Sequence, residues 1–421
     1  MNKKIVGAVA LSLFFQVSAF AQMGGFGGPQ GGGSVPDADK TADVNYVGDG
    51  KTYHTLDIYI PKQAKESYPV VIHTYGSAWS MNNMKGSADL STICAAYAKA
   101  GYAVVTPTHR SAEDGKYPAQ LHDIKAVVRF VRGNAAKYKF DTSFIAVSGF
   151  SSGGHLSSLT ATTCGLKEGK SGSVTVDLVG DLGEFTSFSS CVDGAVLWSP
   201  PTDIYTMNPI SMGGSGTMEG AFIGVERQGN EDKWKVASSP YYASDDDPPV
   251  IIFHGTKDKV VNFEQSQELY DSLKNHNVVT EFVKVSGGSH GDNKMYVDEN
   301  LKKMVSFFDK AREAKAAAAI LPPDTTCCKD SSSNDSTVTD PPARVLASMK
   351  QFAQVGLMGN KLVAYGSKDE FRFAVVSMNG SVTRRGSFYG FHDLSSLPSG
   401  AYAVVVTLPS GAQKSLKFVK K

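Results

Sequence analysis

Five short apolar runs, each stopped by turn residues, constrain this chain more than any other feature. They read YPVVIHTYG (68–76), GYAVVTPTH (101–109), FIAVSGF (144–150), GAVLWSP (194–200) and PVIIFHG (249–255). Runs of this length that are apolar at nearly every position are strands buried on both faces, as in a parallel sheet. The segments between them carry helical periodicity. From Tyr117 to Tyr138, Leu121, Ile124, Val128 and Val131 fall on one face. Phe263–Leu273 and Tyr296–Ala311 repeat the pattern, and TEFVKV (280–285) adds another strand. TLDIYIP (55–61) alternates apolar and polar residues, which predicts a half-exposed strand. Strand–helix alternation over so long a stretch predicts an α/β fold with a doubly wound, mostly parallel sheet.

Composition shifts divide the chain into domains. Residues 1–21 have the form of a secretory leader. Lys3 and Lys4 precede the apolar run Ile5–Phe15, and Ala19-Phe20-Ala21 supplies a cleavage site. That run is too short to span a bilayer, and no later run approaches about eighteen residues. Residues 22–43 begin Gly-rich (QMGGFGGPQGGGSVP) and form a lead-in; 44–312 is the α/β domain. Residues 313–343, rich in Pro, Ser, Asp and Thr, predict a linker. In 344–421, EFRFAVVSMNGSVTRRGSF holds two strands about an Asn379-Gly380 turn. GAYAVVVTLPSGAQKSLKFVKK turns at Pro409-Ser410-Gly411. The expectation there is a small all-β sandwich.

The 421-residue chain carries 42 basic and 41 acidic residues, a net charge of +1. Loss of Lys3 and Lys4 with the leader takes it to +1 − 2, about −1. Such a balance implies neither nucleic acid nor an anionic surface as partner. Of five cysteines, Cys164 and Cys191 flank a polar excursion, and export permits a bridge between them. The alternative is two free thiols. Cys94 sits in a helical pattern as a small buried residue, and Cys327 and Cys328 fall in the linker. The sequence has no C-x-x-C pairs or clustered histidines of a metal site, so no metal and no cofactor are expected.

The stretch VSGFSSGGHL (147–156) carries the chemistry. A G-x-S-x-G run between a strand and a helix is the nucleophile elbow of serine hydrolases. Its glycines permit a tight turn that lifts the central hydroxyl above the sheet. The register selects Ser151, flanked by Gly149 and Gly153. Ser152, one residue into the helix, offers its backbone N–H to an oxyanion.

A serine needs a base, and the base needs an orienting acid. His290, in the Gly-rich loop VSGGSHGDN after a strand, can reach over the sheet edge. His155 lies a turn behind Ser151 and reads as a packing residue; His276 ends a polar helix and His392 belongs to the small domain. For the acid, Asp258 ends the strand before that of His290; Asp203, also at a strand end, is the competitor. The second half of an oxyanion hole should follow an earlier strand. In VVIHTYGSAWS, Ser77 and Ala78 would donate N–H groups with Ser152, and Trp79 would wall the pocket or fill the core.

Residues 44–312 resemble the secreted α/β-hydrolase esterases related to hormone-sensitive lipase, the bacterial feruloyl and acetylxylan esterase-like group. The resemblance rests on YGSAWS, YPAQLHDIKAVVRFVRGNAAKYKFD, GFSSGGHL, HGTKDKVV and GGSHG. It implies a triad of Ser151, Asp258 and His290 acting without a cofactor on acylated polysaccharide or its fragments. Tyr75 and Ser77 depart from the HGGGW pattern of the family's oxyanion loop. The last 60 or so residues are similar to sorting domains of type IX secretion, through FAVVSMNGSVTRRGSF, HDLSSLPSGAYAVVV and a basic end. That similarity implies an extracellular or cell-surface protein whose tail meets secretion machinery; the alternative is a polysaccharide-binding module. Two other functions stand against the esterase: a peptidase of the prolyl-oligopeptidase type, and a binding protein with a vestigial site.

Overall fold

The computed structural model describes residues 33–212 and 216–320 and, in the C-terminal region, residues 354–358, 361–365, 371–377, 382–388, 391–407 and 413–420. The leader (1–21), Cys327 and Cys328, and the expected turns at Asn379-Gly380 and Pro409-Ser410-Gly411 lie outside the described residues. The chain divides into two units after Asp324.

The larger unit is built on an eight-stranded sheet. Its strands are β1 (Ala38–Asn45), β2 (Thr55–Pro61), β3 (Tyr68–Thr74), β4 (Ala103–Pro107), β5 (Phe140–Phe150), β8 (Ala195–Trp198), β9 (Val250–Gly255) and β10 (Thr280–Val285). Strands β6 (Glu168–Ser171) and β7 (Val174–Asp177) pair separately, in the excursion between Cys164 and Cys191. The spatial order is β1-β2-β4-β3-β5-β8-β9-β10. The β1/β2 and β2/β4 pairs are antiparallel, and every other pair is parallel. All five apolar runs are strands of this sheet.

Side chains alternate between two cores, as the period of two demands. Val71, Val104, Ala146, Val196 and Ile251 face one layer, where Tyr97, Met304, Phe307 and Phe308 pack from two helices. Val70, Val105, Val147, Leu197 and Ile252 face the other, against Val127, Val128, Val131, Leu269 and Leu273. Each fully buried Val, Leu, Ile, Phe or Met side chain contributes about 1.5–3 kcal/mol. Burial on both faces explains why these runs lack polar alternation.

Four expectations need correction. Strand β2 is buried, not half-exposed. It is the second strand from the edge, and its polar residue Asp57 is neutralised by Lys40 at 2.8 Å and Lys85 at 2.7 Å. The domain starts before residue 44, because Ala38–Asn45 pairs with β2 along the sheet edge. The linker starts after 313, because the helix Asp298–Ile320 runs on through the Ala-rich EAKAAAAI, a composition that favours helix. The helical pattern from Tyr117 to Tyr138 breaks at Asn134 into Ala119–Gly133 and Ala135–Tyr138.

Basic residues on the helix Ala119–Gly133 would ordinarily face solvent. Here Lys125 Nζ donates to the Thr163 carbonyl, and Arg129 to those of Val179 and Leu182. Arg132 donates to those of Ser189 and Cys191. Arg129 and Arg132 thus hold the excursion that the Cys164–Cys191 disulfide closes, and Lys125 ties down the residue just before it. Burial, aided by the neighbouring charge of Arg129, pushes the Lys125 amine down to about 7. Among the described residues, no helix is long and apolar enough to cross a membrane.

The C-terminal unit is all-β. One antiparallel sheet has the order β14-β13-β16-β17 (Val382–Phe388, Phe371–Ser377, Gly400–Thr407, Gln413–Lys420). A second joins β11, β12 and β15 (Gln354–Met358, Lys361–Tyr365, Phe391–Asp393). Leu362, Phe373, Val375, Leu394, Val404 and Val406 form its own core.

Candidate active site

The carboxyl ends of β3, β5, β9 and β10 carry the loops that hold the candidate residues. Ser151 sits between β5 and the helix Ser152–Thr162, with φ 53° and ψ −124°. That conformation is strained for a residue with a side chain, at about 1–3 kcal/mol, and the surroundings enforce it. The N–H of Ser151 donates to the Trp198 carbonyl at 2.8 Å, and its carbonyl accepts from His155 at 3.0 Å. Both flanking glycines are required by close approach. A Cβ on Gly149 would stand 2.3 Å from the Gly153 carbonyl oxygen, and one on Gly153 would stand 2.2 Å from that of Thr74. The strand-to-helix turn is this tight because no side chain stands on either side of it.

His290 reaches Ser151 from the loop after β10. Its Nε2 lies 3.0 Å from Ser151 Oγ, and its Nδ1 lies 2.7 Å from Asp258 Oδ2. Ser289 shapes that loop by donating its N–H and hydroxyl to Asp292. The Phe150 ring packs 4.8 Å from the imidazole. Ser151 and His290 are 4% and 6% exposed, so water competes little for their hydrogen bonds.

Asp258 follows β9, and its Oδ1 accepts the N–H groups of Val260 and Val261 at 2.9 and 3.0 Å. Its Oδ2 also faces Nε2 of His254 at 3.3 Å. Burial alone would raise this carboxyl. The contacts of His254 and His290 outweigh it and hold Asp258 well below the usual carboxylate range. An acceptor that stays ionised fixes the proton of His290 on Nδ1, which leaves Nε2 to accept from the serine hydroxyl.

Asp203 does other work. Its Oδ1 accepts the N–H groups of Tyr205 and Thr206, an Asx turn after β8. His155 is fully buried, with Nε2 donating to the Ala237 carbonyl at 2.7 Å and Nδ1 accepting from Trp79 Nε1 at 3.2 Å. Burial pushes it down to about 4, so it is a neutral structural imidazole. His276 pairs with Asp245 at the surface, at 3.0 Å.

The candidate oxyanion loop lies after β3, against the elbow. Gly76 is needed there, since a Cβ would stand 2.8 Å from that of Ser151. Ala78 and Trp79 both adopt positive φ, 47° and 57°, which folds the loop back on itself. The N–H of Ser77 donates to Ser152 Oγ at 2.8 Å. The N–H groups of Ala78 and Ser152 meet no acceptor among the described residues. Trp79 is a correction as a pocket wall. It is 1% exposed and stacks on Phe222 at 4.6 Å, within the core that joins the elbow helix to the 199–249 segment. A large aromatic whose N–H finds a buried partner gains more there than at an open wall.

Two contacts were not expected from the sequence: His254 on Asp258, and the Ser152 hydroxyl on Ser77. A histidine four residues before the acid was visible in FHGTKD, but the path of the turn between them was not.

The family model BD-FAE matches residues 56–273. Among curated proteins, the chain is 26% identical over 238 residues to the probable carboxylic ester hydrolase LipM of Mycobacterium tuberculosis, covering 55% of this chain and 51% of LipM. It is 34% identical over 113 residues to the carboxylesterase NlhH of the same organism, covering 27% of this chain and 35% of NlhH. It thus spans about half the length of LipM and less of NlhH. Among solved structures, a truncated carbohydrate esterase from gut microbiota is 39% identical, with a TM-score of 0.64 over 67% of this chain and 99% of that one. A bifunctional GH43-CE protein of Bacteroides eggerthii is 42% identical, with a TM-score of 0.62 over 65% of this chain and 35% of that one. The matched residues make up half of the chain and carry the elbow and Asp258, and the chain belongs to the BD-FAE family.

Proposed function

We propose that the protein is an exported serine esterase that removes acetyl or feruloyl groups from plant cell-wall polysaccharide through an acyl-enzyme. The observation that carries this reading is the hydrogen-bonded chain from Ser151 Oγ through His290 to Asp258. The esterase relatives and the two carbohydrate-esterase structural neighbours support the substrate class.

In this mechanism Ser151 Oγ attacks the ester carbonyl carbon as His290 Nε2 takes its proton. The N–H groups of Ala78 and Ser152 stabilise the oxyanion; that of Ser77 joins them if the Ser152 hydroxyl turns away. The intermediate collapses, the C–O bond to the sugar breaks, and His290 returns the proton to the leaving oxygen. Water, activated by the same imidazole, then hydrolyses the acyl-enzyme and restores the serine.

A panel of substrates tests the reading. The enzyme should turn over p-nitrophenyl acetate, release acetate or ferulate from acylated xylan oligomers, and leave a peptide anilide intact. Cleavage of the anilide would favour a peptidase. The leader and the small β unit make export the second part of the proposal. A chain ending at Ile320 should keep its kcat/KM on a soluble ester and accumulate in the periplasm of its native host. Loss only on insoluble polysaccharide, with export intact, would make the tail a binding module.

A further inference from the structure

We propose that His254 is a positioning residue for the catalytic acid, a second imidazole that locks Asp258 in the orientation His290 needs. The proposal rests on the triad reading above and extends it to a residue outside the triad.

His254 is the penultimate residue of β9 and is fully buried. Its Nε2 lies 3.0 Å from the Val261 carbonyl and 3.3 Å from Asp258 Oδ2. A carbonyl only accepts, so Nε2 carries the proton and shares it with the carboxylate. Its Nδ1 lies 2.6 Å from Ser266 Oγ, whose hydroxyl donates to it when Nε2 holds the ring proton. Ser266 stands in the helix Glu264–Asn275, so a rigid element fixes the tautomer.

The turn from Asp258 to Val261 is thereby closed twice. Val261 donates its N–H to Asp258 Oδ1 and accepts from His254 through its carbonyl. Asp258 receives Val260 and Val261 on one oxygen and His290 on the other, which also faces His254 Nε2 at 3.3 Å. Without His254, a buried carboxylate would keep one bare lone-pair direction and be free to swing towards it. The titratable and charged groups facing this pair are His290 from the loop after β10, Glu264 at the start of the next helix, and Tyr296.

Removing the Nε2–H also leaves Asp258 a stronger acceptor for His290 alone, which favours the charged imidazole. The acid limb of kcat/KM, which requires neutral His290, then moves to higher pH. His254→Phe keeps the volume and removes the donor. It should lower kcat on p-nitrophenyl acetate about 10- to 100-fold, leave KM within about threefold, and move the acid limb up by about half a pH unit or more. His254→Gln, whose amide N–H can reach the same place, should restore most of the rate and the limb. Ser266→Ala should move the limb in the same direction by less, and it decides the matter if His254→Phe does not fold. An unmoved limb in folded His254→Phe, or in Ser266→Ala where that variant decides, overturns the proposal; so does a Gln variant as impaired as the Phe one. Asp258→Asn in the same series separates the two readings. If it stays active, the triad reading fails; if it is inactive while the limb of folded His254→Phe stays put, only the role of His254 fails.

Discussion

Ser77 donates its backbone N–H to the hydroxyl of Ser152, 2.8 Å away, so the residue after the elbow serine engages one of the oxyanion loop's own donors. The contact ties the loop after β3 to the N-terminus of the elbow helix. Ser152→Ala should break it, lose about 1 kcal/mol of stability for one buried hydrogen bond, and free the Ser77 N–H. Turnover of a soluble ester should stay within about threefold of wild type, because that N–H then becomes available to the oxyanion. A loss of two orders of magnitude in kcat would instead place the hydroxyl itself in the hole.

The two candidate acids make opposite predictions. Asp258→Asn should lower kcat by about 10⁴, the scale of loss when a triad acid becomes an amide and the base takes the wrong tautomer. Asp203→Asn should leave kcat nearly unchanged, since Asp203 only caps the turn at Tyr205 and Thr206. Steady-state kinetics of both variants decide between them. An inactive Asp203 variant beside an active Asp258 variant would move the acid to the loop after β8.

His155 sets an acid-stability window. Its ordinary value is 6.5, and burial lowers it to about 4 in the folded chain. Between those values the unfolded chain binds a proton there and the folded chain does not. Stability therefore falls as pH falls through that window, by up to ~1.4 kcal/mol per pH unit. Urea unfolding across the window should show a shallower pH slope in His155→Gln than in wild type, by about 1 kcal/mol per unit. Equal slopes would show that His155 titrates alike in both states.

The Cys164–Cys191 bridge closes the excursion that Arg129 and Arg132 also hold. Replacing both cysteines by serine should lower stability by roughly 3 kcal/mol or less, because the two guanidinium groups retain part of the constraint. Thermal unfolding measures it. Turnover should persist, since no triad residue lies between the two cysteines. An inactive but folded double variant would tie the excursion to the active site.

What the sequence disclosed follows the strength of the local signal. Ser151 was legible because two glycines at fixed offsets mark a turn that no other residues allow. Asp258 and His290 were legible as strand-end residues in a known chain order, though only the fold brings them within hydrogen-bond reach. The strand Ala38–Asn45 was hidden, because an edge strand is mostly polar and its pairing partner lies outside any local window. Trp79 was ambiguous for a similar reason. Its direction is set by the positive φ of Ala78 and of Trp79 itself, and by Phe222 from a distant segment. The burial of Lys125 and Arg129 depended on carbonyls some forty to fifty residues away, which no periodicity encodes.

The central claim is that Ser151 is the covalent nucleophile. Labelling the intact protein with a fluorophosphonate and mapping the adduct by mass spectrometry tests it most directly. The account predicts a single adduct, on a peptide whose fragment ions assign it to Ser151, formed in step with the loss of esterase turnover. Folded Ser151→Ala should take up no label and show no turnover. A label on Ser152 or elsewhere, or a Ser151→Ala variant that still hydrolyses the ester, would contradict it.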